Sequence, residues 1–190
     1  MPPPRRKFGP SQKERIFFAA VPDEKAAARI HAQAQAFKAE YGFTGNLILR
    51  EHLHVTLFHL GDWNTLPEEI VNLASGAASQ VNVPAFEVAF KRAESFRNST
   101  GIYPFVLTGD KDGGAWRTLY NALKVALTNA GLGGATRGEF TPHITLTYDK
   151  VRAKPMPIDP ISWMVKDFVL IHSVLGKTTH NHLGRWLLRD

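Results

Sequence analysis

The chain has 190 residues, 44% of them hydrophobic, enough for one domain with a sizeable core and too few for two ordinary ones. It contains no cysteine, which excludes disulfide frameworks, thiolate metal sites and cysteine nucleophiles, so any chemistry falls to oxygen and nitrogen side chains. Eight histidines accompany a net charge of +6, but the first fifteen residues hold five cations against Glu14 alone, a net +4 that leaves only +2 for the body.

Residues 1–14 carry Pro2 to Pro4, a basic cluster, Gly9 and Pro10 and no apolar run, which reads as a solvated basic leader ahead of a single domain over 15–190. No segment approaches the ~18 consecutive apolar residues of a membrane span, and no export signal precedes the body, so a soluble, cytoplasmic protein is expected; a monomer is the working expectation, although the sequence does not determine oligomeric state. Ile16 to Val21 is a short apolar run ended by Pro22, the pattern of a buried strand. Asp23 then caps a helix in which Ala26, Ala27, Ile30, Ala34 and Phe37 recur at helical spacing until Gly42 breaks it.

Residues 46–60 alternate like a strand and close at Gly61 and Asp62. Pro67, Glu68 and Glu69 open a second helix, predicted to bury Ile70, Leu73 and Ala77 on one face. Strands over Phe86–Phe90 and Tyr103–Thr108 flank a turn-rich connection at 97–101. A third helix runs from about Ala115 to Ala130, presents Trp116, Leu119, Leu123 and Leu127, and stops at Gly131. Strands follow at Ile144–Tyr148, Phe168–Leu175 and Trp186–Leu188, the last two as a hairpin. Helices mixed with hairpin-linked strands give an α+β domain with an antiparallel-rich sheet.

One pattern inside these strands repeats. His54-Val55-Thr56-Leu57 returns as His143-Ile144-Thr145-Leu146, 89 residues later. Side chains alternate across a strand, so each copy puts an imidazole and a hydroxyl on one face and two apolar side chains on the other. An internal duplication would preserve the apolar positions; repetition of His and Thr on the opposite face needs a chemical cause. Two such strands side by side converge two imidazoles and two hydroxyls on one cleft, a set suited to cleaving a phosphodiester. Imidazole, with an unperturbed pKa of about 6.5, serves both as base for the attacking oxygen and as acid for the leaving oxygen. The hydroxyls hold non-bridging phosphate oxygens, and no step requires a metal or other cofactor.

At these residues the sequence resembles the two-histidine (2H) phosphoesterase superfamily, and within it the bacterial and archaeal RNA 2',3'-cyclic phosphodiesterases, also called 2'-5' RNA ligases. The resemblance takes in Arg15-Ile-Phe-Phe-Ala-Ala-Val-Pro22, Leu53-His-Val-Thr-Leu57 with Leu60-Gly61, Phe140-Thr-Pro-His-Ile-Thr-Leu146, the strand from Phe168 to Gly176 and Gly184-Arg-Trp-Leu-Leu188. It implies a bilobal fold of two pseudo-symmetric lobes with antiparallel-rich sheets flanking a central groove, helices outside. It also implies opening of RNA-terminal or small-nucleotide 2',3'-cyclic phosphate to a 2'-phosphate, with His54 as proton donor, His143 as proton acceptor and Thr56 and Thr145 as phosphate ligands. The alternatives are 2'-5' RNA ligation by the reverse reaction, and a non-catalytic module that binds RNA ends. Two positions depart from the family: His59 stands where many members have Phe, and Tyr148 where they have Arg.

Further contacts to an RNA end are expected from Phe18, Tyr148, Arg92 and Arg97. Phe17 and Phe18 lie on opposite strand faces, so either one walls a nucleotide while the other packs, or both belong to the core. Arg92 and Arg97, with Lys91, flank a loop able to reach over a groove. His52 shares a strand face with His54, but a third metal ligand is missing from the pattern. His172, His180 and His182 read as structural or exposed, with at most one of them bordering the groove, and Trp116 and Tyr120 as core-facing.

Overall fold

A computed structural model describes residues 13–109, 114–137, 139–177 and 179–189. The basic leader expected over 1–14 lies outside the described residues except for Lys13 and Glu14, and Glu14 already opens the first strand. The elements run β1 (Glu14–Ala20), α1 (Glu24–Tyr41), β2 (Val55–Trp63), α2 (Glu68–Ala78), β3 (Phe86–Ser95), β4 (Tyr103–Thr108), α3 (Trp116–Asn129), β5 (His143–Asp149), β6 (Met156–Val165), β7 (Asp167–Val174) and β8 (His180–Leu187). All eight strands join one antiparallel sheet in the order β6-β3-β4-β5-β2-β1-β7-β8. Each half is continuously paired, whereas the β2–β5 junction between the halves rests on the single pair Val55–Ile144. The two expected lobes are therefore halves of one sheet.

The back of this sheet carries the main core. Asp23 caps α1 by accepting from the Ala26 N–H at 2.7 Å, and Gly42 ends it at φ 65°, a left-handed conformation that glycine adopts without strain. The helix buries the five residues its spacing predicts. It crosses to the far half of the sheet, where Phe37 meets Phe105 edge-on at 5.2 Å. α3 buries Trp116, Leu119, Leu123 and Leu127, and its Tyr120 stacks between Phe58 and Phe140, each at 4.3 Å. Among the described residues no helix is long and apolar enough to cross a membrane.

Four expectations change. The strand read over 46–60 begins only at Val55, because a 3-10 turn at Arg50–His52 interrupts it and Leu47 pairs instead with Thr147. α2 buries Ala74, Ala77 and Ala78 and leaves Leu73 exposed, since it packs closely on α3 and β8 through small side chains. β6 has no counterpart among the predicted strands: Pro157 and Pro160 argue against a strand, but β6 is a sheet edge, where a missing N–H is tolerated. The last strand starts at His180 rather than Trp186, its polar residues lying on the other edge.

One polar anchor shapes the front. Asp149, at the end of β5 and 3% exposed, accepts from the backbone N–H groups of Thr44 and Gly45 at 2.6 Å and of Val151 at 2.8 Å. These bonds hold its carboxyl below the ordinary carboxylate range, led by the bond from Val151. The same segment is fixed further along by Ile48 N–H donating to the Leu146 carbonyl at 2.8 Å and by Thr147 Oγ1 donating to the Asn46 carbonyl at 2.9 Å. It lies so close to β5 that a Cβ on Gly45 would stand 2.1 Å from the Tyr148 carbonyl oxygen. Asp149→Ala is expected to lower stability by about 2–3 kcal/mol, the cost of leaving these donors without their acceptor, as read from urea unfolding.

Candidate active site

The two repeated motifs meet at the sheet junction. Carried one residue either way, the antiparallel register of Val55 with Ile144 sets His54 opposite Thr145 and Thr56 opposite His143. Val55, Leu57, Ile144 and Leu146 point into the core, and the four polar residues line a groove of about 580 Å³ on the other face.

Both imidazoles are held in the same way. His54 Nδ1 lies 2.7 Å from the His52 carbonyl oxygen, and His143 Nδ1 lies 2.7 Å from the Thr141 carbonyl oxygen. A carbonyl only accepts, so each Nδ1 carries a hydrogen, and Nε2 is the nitrogen left to gain or lose a proton. Each ring also meets one phenylalanine at 5.0 Å between centroids, Phe17 for His54 and Phe96 for His143.

Their surroundings differ. His180 stands 5.5 Å from His54 and 4.2 Å from His52, so the first motif is crowded by two further imidazoles. Burial, helped by repulsion from the like charges of His143 and His52, pushes the His54 pKa down despite the bond to the His52 carbonyl. Burial and the neighbouring histidines push His180 to about 4. Burial also lowers His182. Among the described residues no group of three or more His, Asp or Glu side chains is arranged to hold a metal ion.

The expected substrate contacts separate. Tyr148 lines the groove and is 53% exposed. Phe18 does not: it is 0% exposed in the main core, against Phe168 and Trp186, while Phe17 takes the groove face with Ala19. The one-residue alternation of β1 makes these roles exclusive. Arg92 is exposed on β3 beside Thr108 and Pro157, away from the groove lining. Arg97 is exposed and likewise outside that lining, but its neighbour Phe96 touches His143. Of the three histidines of the terminal hairpin, of which at most one was expected at the groove, His180 lines it because the β7–β8 hairpin returns it beside Ser173. Arg15, Lys177 and the segment 46–49 also line the groove and were not singled out by their sequence, which marks them only as a strand end, a turn and the start of a strand.

Comparison with known proteins agrees with this architecture. A family model described as the 2'-5' RNA ligase superfamily matches residues 11–176. The RNA 2',3'-cyclic phosphodiesterase of Escherichia coli (strain K12) is 29% identical over 183 residues, covering 94% of this chain and 98% of that protein. The crystal structure of E. coli LigT complexed with 3'-AMP matches at TM-score 0.67 with 25% identity, over 95% of this chain and all of LigT. A Thermus thermophilus protein shares the fold at TM-score 0.70 and 23% identity, over 92% of this chain and 98% of its own.

The crowded histidines have a consequence for stability. His180 takes a proton near pH 4 in the folded chain and near the ordinary 6.5 once unfolded. Within that window the unfolded state binds more protons, so stability is complete above pH 6.5 and declines as pH falls toward 4. His54 and His182 shift in the same direction. The melting temperature should fall across this window, and His180→Asn should shrink the fall, as followed by circular dichroism.

Proposed function

The chain belongs to the 2'-5' RNA ligase superfamily, and on that footing we propose that it opens 2',3'-cyclic phosphates at RNA ends or on small nucleotides to 2'-phosphates. The observation that carries this reading is the matched pair of imidazoles, each fixed through Nδ1 to a carbonyl two residues back and each left with Nε2 for proton transfer. A water oxygen attacks phosphorus as one Nε2 takes its proton. The P–O3' bond breaks as the other Nε2–H gives a proton to O3', leaving a 2'-phosphate and a free 3'-hydroxyl.

The family resemblance assigns donation to His54 and acceptance to His143. An imidazolium at His54, made more acidic by its burial, gives up its proton readily to an alkoxide leaving group. Thr56 and Thr145 hydroxyls donate to the non-bridging oxygens, where charge builds in the transition state. After each turnover the proton on His143 must return to solvent and His54 must regain one. The scheme contains no metal-dependent step. The named activity of the E. coli relative and the 3'-AMP complex of LigT support an RNA-end or nucleotide substrate. With an RNA 5'-hydroxyl in place of water as the attacking group, the same two proton transfers would break P–O3' and leave a 2'-5' linkage, the reaction for which the family is named.

His54→Gln and His143→Gln should each lower kcat/KM for a 2',3'-cyclic mononucleotide by about 10²–10⁴-fold. The double variant should fall little further, because the two groups act in one concerted transfer. Chelator should leave the wild-type rate unchanged, and phosphorus NMR should show a 2'-phosphate product. Near-normal turnover by either single variant, or loss of activity with chelator, would overturn the reading.

A further inference from the structure

The groove extends past the histidine pair. Arg15 and Phe17 share one face of β1, about 7 Å apart along the strand, and Phe17 is the ring packed on His54. Arg15 therefore marks the next position along the groove from the reacting centre. Ser173, its partner on β7, and Lys177, in the turn that follows, line the same end. Arg15 and Lys177 are the only groove-lining side chains of permanent charge among the described residues, and no carboxylate lines the groove.

Arg15 is also oriented. Asp62, which does not line the groove, accepts from its Nε and Nη2 at 2.8 Å each, and His59 Nε2 lies 2.9 Å from the same carboxylate. Two of five guanidinium N–H groups are thereby committed, holding the planar fork in place and leaving three for an acceptor oxygen. Tyr148 lines the same groove, and its exposed ring offers a stacking surface.

We propose that the Arg15 and Lys177 end of the groove is a second, non-reacting phosphate subsite, which takes the phosphodiester one nucleotide before the cyclic end and makes an oligonucleotide a better substrate than a cyclic mononucleotide. The proposal rests on reading the histidine pair as a cyclic phosphodiesterase. Its chemistry is charge-assisted hydrogen bonding from a preset guanidinium to a phosphodiester oxygen, strengthened by the ammonium of Lys177.

The test compares kcat/KM for a 2',3'-cyclic mononucleotide with that for a dinucleotide ending in the same cyclic phosphate. Wild-type protein should favour the dinucleotide by about tenfold, the worth of one charge-assisted bond. Arg15→Gln should bring the ratio toward one, chiefly through the dinucleotide's KM, and Arg15→Lys should retain part of the preference. Lys177→Gln, in an exposed turn, should lower the ratio severalfold without disturbing the fold. Equal loss on both substrates in Arg15→Gln, or a wild-type ratio near one, overturns the subsite.

A binding arm separates the two readings. Calorimetry compares a 3'-phosphorylated dinucleotide with the 3'-phosphorylated mononucleotide. Tighter dinucleotide binding that Arg15→Gln abolishes supports the subsite even if wild-type protein cleaves neither cyclic substrate, an outcome that would overturn the hydrolytic reading alone. Equal binding of the two ligands overturns the subsite whatever the activity.

Discussion

The contact between Val55 and Ile144 is the constraint from which the site follows. Among the described residues it is the sole ladder pair between β2 and β5, where the two four-stranded halves meet, and it fixes the register in which the two His-x-Thr motifs face one another. Both side chains are 0% exposed, and the adjoining Leu57 and Leu146 are nearly so. The apolar positions of each motif thus lock the halves from behind while the alternate positions line the groove in front. A slip of one residue would exchange the faces, burying imidazoles and exposing the core. Core packing and the geometry of the proposed site therefore require the same register.

Equal motifs do not make equal histidines. The backbone gives both imidazoles the same Nδ1 anchor and hence the same reactive nitrogen. Tertiary neighbours then divide them: His54 is enclosed by Phe17, His52 and His180, whereas among the described residues the ring contact at His143 is Phe96 alone. A reaction that needs one acid and one base must distinguish two chemically identical groups, and environment is the means available. The asymmetry arises from β8 and the turn before β2, outside the repeated motifs.

Much of this was legible in the sequence where one residue's periodicity decides its side. The five buried positions of α1, the four of α3 and the four groove residues of the motifs all follow from spacing. What spacing leaves open is the absolute face. Phe17 and Phe18 must differ, but only the partners of β1 determine that Phe18 meets Phe168 and Trp186 while Phe17 meets His54. Strand β6 was hidden because its prolines signal against pairing until its edge position is known. Arg92 and Arg97 were plausible as cations beside a turn, yet β3 lies in the far half, two strands from β5. Arg15 carried no local signal, since only the β1–β2 register brings Asp62 opposite it.

The charge distribution gives these pieces a common sense. Most of the net +6 resides in the first fifteen residues, so the folded body offers little of the broad positive surface by which proteins hold nucleic acid along its length. The groove compensates by composition: two permanent cations, several imidazoles and no lining carboxylate among the described residues. Asp62 is kept behind Arg15, where it orients the guanidinium without facing an incoming anion. Asp149 is likewise turned inward, spent on backbone N–H groups of the segment that forms a groove wall. These two acidic side chains thus serve as ties to neighbouring groups, and the groove lining carries no carboxylate among the described residues. Such an arrangement favours a ligand whose phosphates fall at particular points of the groove over one that merely carries many of them.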